Sequence, residues 1–306
     1  MGISQYIKEI GRGPRGSKPL TREQAADLFG QLLDGNVTDL EIGAFCLAMR
    51  IKGETPEEMC GFLDAAHSRM ALFPASDRPV IVLPSYNGAR KLPVLTPLLA
   101  LLLAREGLPV LLHGMRTEAR RTLASDVLLA LGVPALTAPE KIATGSVAHI
   151  ETGYLHAALA RLLKVREVVG LRNAGHSIVK LMNPCAGPAV VVTSYTHPEY
   201  YDMLQATFGA LHMTALLSRG LEGEVATDPR RTPRYDAFVA GVHQLLQEQQ
   251  PGTAVVEPAP PTEIDIDTTA RYTQDVLDGR LPVPPALAQQ VEHILHLAAQ
   301  TPPHAP

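Results

Sequence analysis

Three helix starts written in the same way fall within residues 20–70, and they constrain the fold more than any other feature of the chain. Thr21 is followed by Gln24, Thr38 by Glu41, and Thr55 by Pro56 and Glu58. In each, the threonine hydroxyl takes an orphan N–H of the first turn, and the residue three positions on reaches back. Apolar residues then recur at helical spacing: Ala25, Leu28, Phe29, Leu32 and Leu33; Ile42, Phe45 and Met49; Met59, Phe62, Leu63 and Ala66. Residues 1–75 are therefore expected to form a small helical domain.

From Pro79 the pattern changes to an alternation of strands and helices. Candidate strands are 80–83, 108–112, 189–194 and 213–217, and candidate helices are 94–105, 120–131 and 198–209. Such alternation argues for an α/β domain over 76–306 with a mostly parallel central sheet. A helical stretch from Tyr154 to Val168 fits either layer and is expected to join the helical domain in space. The part from about residue 251 is acidic, and residues 251–264 are proline-rich and read as a surface connection.

With 306 residues, 46% of them apolar, the chain can bury two cores rather than one. Its net charge of −4 gives no global case for nucleic acid or acidic lipid. The distribution is less even. Lys8, Arg12, Arg15 and Lys18 crowd the N-terminus, Arg78–Arg121 and Arg161–Lys180 are basic, and acidic residues gather after position 245. A neutral total is compatible with a basic face and equally with ordinary scattered surface charge. The segment 11–18, GRGPRGSK, reads either as a mobile basic arm or as a lead-in to the first capped helix. Cys46, Cys60 and Cys185 have no paired spacing and read as structural thiols. No apolar run approaches a membrane span, so no membrane partner is expected and the cytoplasm is the default location.

One short stretch raises a chemical question. LPSYNGARK, residues 83–91, lies between an apolar strand and an apolar helix, where an α/β protein commonly binds phosphate. Phosphate loops are glycine-rich, yet this one has a single glycine, Gly88. Pro84 has no N–H to donate.

These residues resemble a known family. LTREQAADLFGQLLDGNVTDLEIGAFCLAMRIKGETPEEM looks like the N-terminal helical domain of anthranilate phosphoribosyltransferase and its nucleoside-phosphorylase relatives. LLHGMRT at 111–117, SDVLLALGV at 125–133 and GLRNAGHSIVKLMNP at 170–184 resemble further motifs of that enzyme. PSYNGARK, RNAGHS…K, SYTHPEY and EGEVATDPRR together resemble the YbiB-type proteins, paralogues of the transferase. The resemblance implies a shared fold, a homodimer through the helical domain, and sequence-tolerant binding of DNA or RNA without the transferase role. No catalytic residue, metal ligand or cofactor follows from it. A transferase acting on an unidentified acceptor, with magnesium, is the alternative it leaves open.

Set against the enzyme, the glycine-rich cradle is replaced by Leu83–Gly88, with Tyr86 filling space that a phosphate would take. Ser85, Asn87 and the amides after Gly88 remain able to hold one phosphate. The enzyme's adjacent acidic pair is absent. Glu222, Glu224 and Asp228 stand near its place and read as a solvated acidic turn. His113, Gly114, His156 and Arg172 match positions of the enzyme's substrate pocket and are expected to form a vestige of it. Arg90 and Lys91 follow the altered loop, and Arg116, Arg120 and Arg121 follow the next strand. Lys180 falls in the stretch after Arg172, and Arg230 and Arg231 follow the acidic turn. Loops at strand carboxyl ends share one rim, where such charges would converge. That rim, with Tyr86, Tyr195, His197 and Tyr200, suits a phosphate backbone and base stacking. The same arginines also suit a merely solvated rim paired with local acids.

Overall fold

Four helices open the chain: α1 (Ser4–Ile10), α2 (Arg22–Leu33), α3 (Asp39–Lys52) and α4 (Pro56–His67). The structure, a computed structural model, describes residues 2–13, 15–118, 120–253 and 256–301. All three expected capping boxes are formed, at Thr21/Gln24, Thr38/Glu41 and Thr55/Glu58. They fix the entry of each helix, so the apolar stripes converge on Phe29, Phe45 and Phe62, whose ring centroids lie 5.0–6.2 Å apart. Glu58 does more than cap α4. Fully buried, it takes the Leu20 N–H on one oxygen and pairs with Lys52 at 2.6 Å on the other. Within 11–18, Arg12 pairs with Glu9 and the Lys18 N–H returns to the Glu9 carbonyl. That segment therefore folds back on α1 rather than extending as an arm; its Pro14 lies outside the described residues.

The remaining elements are β1 (Val80–Pro84), α5 (Thr96–Arg105), β2 (Val110–Gly114), α6 (Ala124–Ala130), β3 (Ala135–Leu136), β4 (Val147–Glu151), α7 (Thr152–Leu155) and α8 (Ala157–Val169). After them come α9 (Gly175–Ile178), β5 (Ala189–Tyr195), α10 (Glu199–Ala210), β6 (Ala215–Arg219), β7 (Tyr235–Val239), β8 (Val242–Gln247), α11 (Ile266–Leu277) and α12 (Pro285–Gln300). The strands form one sheet in the order β3-β4-β2-β1-β5-β6-β7-β8, parallel except for the β6–β7 and β7–β8 pairings. Its two faces follow from the period-two alternation of side chains. Val80, Val82, Val191 and Leu217 join the core shared with the helical domain; Ile81, Leu83, Val190, Val192 and Leu216 join the core beneath α5, α11 and α12. Leu159, Leu162 and Leu163 of α8 belong to the first of these cores, beside Phe29, Leu32 and Leu33.

The differences from expectation are local. The second strand starts at Val110 because Pro109 cannot donate to the ladder. The short β3, the half-polar β4 and the β7–β8 hairpin were not anticipated: their apolar runs are brief and β8 is largely exposed. Residues 251–264 form an irregular connection; Ala254 and Val255 lie outside the described residues. All three cysteines are buried free thiols. Among the described residues no helix is long and apolar enough to cross a membrane.

Candidate phosphate loop and interdomain cavity

The parallel strands deliver the ends of β1, β2, β5 and β6 to one edge of the sheet, so the loops after Pro84, Gly114, Tyr195 and Arg219 face a common rim. The loop after β1 does hold an anion, and the anion is the protein's own. The Glu224 carboxylate accepts hydrogen bonds from the Asn87 and Gly88 amides at 2.9 and 2.8 Å. It also accepts from the hydroxyls of Ser85 and Thr96, at 2.6 and 3.0 Å. The Glu222 carboxylate accepts from the next two free amides, those of Arg90 and Lys91, at 3.0 and 2.9 Å. Ser85, Asn87 and Gly88, expected to hold a phosphate, are thus occupied. The reading of Glu222, Glu224 and Asp228 as a solvated turn is corrected: Glu224 and Asp228 are buried, and the Glu222 side chain is only 13% exposed.

Their chemistry does not fit a magnesium site as it stands. Glu224 is committed to four N–H and O–H donors, and a cation needs those lone pairs free. Asp228 is engaged by Arg230 and Arg231. Among the described residues, no group of three or more His, Cys, Asp or Glu side chains is placed to hold a metal.

Beside the loop, Tyr86 is buried, as its expected space-filling role requires. Its hydroxyl lies 2.8 Å from both Nδ1 of His113 and Oγ1 of Thr152. Burial pushes the His113 pKa down to about 3, so the ring is neutral. Gly114 is needed for close packing: a Cβ there would stand 1.9 Å from the Ser85 carbonyl oxygen. His156 caps α8, its Nδ1 accepting the Leu159 N–H. Arg172 reaches Glu118 at 3.3 Å, as do Arg121 and Arg166 at 2.9 Å each. Burial opposes the charge on Glu118, but the hydrogen bonds from Arg166 and Arg121 outweigh it and hold its pKa at about 2. Three guanidinium groups thus share one carboxylate, leaving a local excess of positive charge.

The other expected rim cations divide. Arg116 pairs with Asp126, and Arg230 and Arg231 with Asp228. These pairs match the solvated-rim reading of those residues. Arg90, Lys91 and Arg120 are exposed, Arg90 only 3.9 Å from Glu222. Lys180 donates to the Gly223 carbonyl, and burial drives its pKa down to about 8 against the pull of Glu224.

A cavity of about 520 Å³ lies where the helical domain meets this rim. Arg50 reaches it from the end of α3; Arg172, His176 and Lys180 from around α9; Ser194, Tyr195, His197 and Tyr200 from the end of β5 and the start of α10. His176 and Ser194 are 7% and 6% exposed, and His176 Nε2 and Ser194 Oγ have no hydrogen-bond partner among the described residues. Nδ1 of His176 lies 3.3 Å from both the Asn173 N–H and Asn173 Oδ1. Burial, then Arg172 and Arg166, depress its pKa to about 3. A second cavity of about 480 Å³ flanks β6, with Arg219, Glu222 and Arg231 in its wall.

Of the expected residues, this cavity gathers Arg172, Lys180, Tyr195, His197 and Tyr200; His113, Gly114 and His156 lie outside its wall. Sequence reasoning missed Arg50, Arg166, His176 and Ser194. The one signal for His176 was RNAGHS, which places it four residues after Arg172.

Residues 4–70 match the glycosyl transferase family helical bundle domain. Over 298 residues, 95% of this chain and 92% of the relative, the sequence is 37% identical to the uncharacterized protein YbiB of Escherichia coli K12. It is 26% identical to the anthranilate phosphoribosyltransferase of Persephonella marina over 91% of this chain and 83% of that one. Among solved structures, anthranilate phosphoribosyltransferase from Thermus thermophilus superimposes with a TM-score of 0.73 at 22% identity, covering 97% of this chain and 87% of that chain. The Saccharomyces cerevisiae enzyme, solved in complex with PRPP and Mg, superimposes with a TM-score of 0.68 at 14% identity over 97% and 88% of the two chains. The arrangement of a helical domain on a mostly parallel sheet is the fold of anthranilate phosphoribosyltransferase.

Proposed function

The chain belongs to the YbiB family, and from that premise we propose that it binds single-stranded nucleic acid, with little sequence preference, on a phosphoribosyltransferase-like scaffold. The observation that carries this reading is the interdomain cavity. It offers Arg50, Arg172 and Lys180 to phosphate oxygens, Tyr195, His197 and Tyr200 to bases, and two buried polar atoms without partners to a ligand. Tyr195 is in register with Arg219 across β5 and β6, so the second cavity continues the same rim. A site of two cavities in a row suits a chain of phosphates better than one small molecule. The filled cradle supports the same choice, since a phosphoribosyl donor would have to displace Glu224 from four hydrogen bonds.

The protein acts in this reading as a cytoplasmic homodimer. Leu40, Leu47 and Ile51 are exposed along α3 at i, i+7 and i+11, an apolar stripe suited to a second copy of the helical domain. Two modest sites on one strand then gain from effective concentration.

A second reading, transfer of a phosphoribosyl group to an unidentified acceptor, is favoured by the likeness to anthranilate phosphoribosyltransferases over nearly the whole chain. The two separate in one experiment. A labelled single-stranded oligonucleotide and PRPP with magnesium are each titrated into the protein. Oligonucleotide binding that weakens steeply with salt supports the first reading. Its absence at low salt, with PRPP bound only when magnesium is present, replaces it with the second.

A further inference from the structure

Beneath the C-terminal helix, one row of the sheet breaks the apolar pattern around it. Val190, Val192 and Leu216 face the core under α5, α11 and α12, and period-two alternation puts Ser194 and Ser218 on that same face. Tyr235 joins the same core from β7. The three are aligned across neighbouring strands: Ser194 is the register partner of Ser218, and Ser218 that of Tyr235. Thr227 extends the row, since it bridges to Gly220, just beyond Ser218.

All four are buried, Ser194 to 6% exposure, Ser218 to 1%, Thr227 and Tyr235 to 0%. None of the four hydroxyls has a hydrogen-bond partner among the described residues. The Thr227 hydroxyl lies near that of Tyr235 without the geometry of a hydrogen bond. Polar side chains close by are committed elsewhere. Gln290 of α12 accepts the Thr227 N–H and donates to the Val225 carbonyl, and Glu224 is held by four donors. Folded proteins leave few such groups unpaired, because a buried hydroxyl without a partner bears the full penalty of leaving water.

The spacing of the strands decides what fits between them. Neighbouring strands stand about 4.8 Å apart. That is too far for two in-register serine hydroxyls to bond directly, which takes about 2.8 Å. A water molecule bonded to both at that distance spans about 4.5 Å. Water also gives and takes hydrogen bonds, as hydroxyls do. The row itself contains no charged side chain that would favour an ion instead.

We propose that this row is an internal water site, a string of ordered water molecules running from Ser194 to Thr227 between the sheet and α12. Its end residues also stand in the walls of the interdomain cavity and of the second cavity, so the string joins the two through the protein. Ser194 serves the string and still has a position for a cavity ligand, because a hydroxyl has one donor and two acceptor sites. The inference holds whichever ligand the cavities take.

A crystal structure of the full chain, at a resolution that shows ordered water, tests it. Water is expected to bridge the Ser194 and Ser218 hydroxyls and to reach those of Thr227 and Tyr235, at about 2.8 Å from each oxygen. Hydroxyls bonded to one another or to main-chain carbonyls, with no water between them, overturn the proposal. Where crystals do not reach that resolution, urea unfolding decides. The variants are Ser218→Ala and Tyr235→Phe, the second keeping the ring whose centroid lies 4.8 Å from that of His293. Each removes a partner from a buried water, so the folding equilibrium constant is expected to fall about fivefold. In a dry row each removes an unpaired hydroxyl, and a constant that is unchanged or raised overturns the proposal.

Discussion

Glu58 shows how much one side chain carries here. It completes the third capping box, accepts the Leu20 N–H and pairs with Lys52, all without contact with solvent. Glu58→Ala strands a nearly buried ammonium and two amides, and it is expected to cost about 3 kcal/mol, read as a lower urea midpoint with unchanged slope. His113 makes a second point, because burial keeps it neutral with a folded pKa of about 3, whereas an unfolded histidine titrates near 6.5. Between those values the unfolded chain binds a proton that the folded one does not. The stability it contributes is complete above about pH 6.5 and is lost as pH falls toward 3. At pH 5 the loss is on the order of 2 kcal/mol. A His113→Leu variant is expected to lose that much less between pH 7 and pH 5, and denaturation curves at the two values check it. Neither role was visible in the sequence. A capping glutamate reads the same whether exposed or buried, and His113 was read through a resemblance to a substrate pocket, whereas in the fold its ring bonds to the buried Tyr86 hydroxyl.

At the scale of elements, the sequence was most legible where a local rule acts alone. Threonine caps and helical periodicity located α2, α3 and α4, and continuous apolar runs located β1, β5 and α5. The β7–β8 hairpin was not legible because its strands are held by partners across the sheet rather than by their own pattern. The 221–225 turn illustrates the same limit for function. Three acids in seven residues look like a solvated turn until the fold places them against a loop some 130 residues earlier in the chain. The exposed stripe on α3 carries its own prediction. Leu47→Glu with Ile51→Glu is expected to leave the helical domain folded and convert a dimer to a monomer in analytical ultracentrifugation. An unchanged sedimentation coefficient would place any self-association elsewhere.

For the whole molecule, the fold is that of the transferase, the loop after β1 is filled from within by Glu224 and Glu222, and Asp228 is held by arginines. What stays open is a cavity that takes one cation from the helical domain and two from the α/β domain, so it exists only in the assembled molecule. No single segment announces it, which is why Arg50 and His176 escaped sequence reasoning. The most direct test of this account is the salt dependence of single-strand binding by wild type and by the Arg50→Ala/Arg172→Ala protein. The account predicts weaker binding to every sequence and a log–log salt slope shallower by up to about two units. Equal affinities and equal slopes would contradict it, because the cavity's cations would then touch no phosphate.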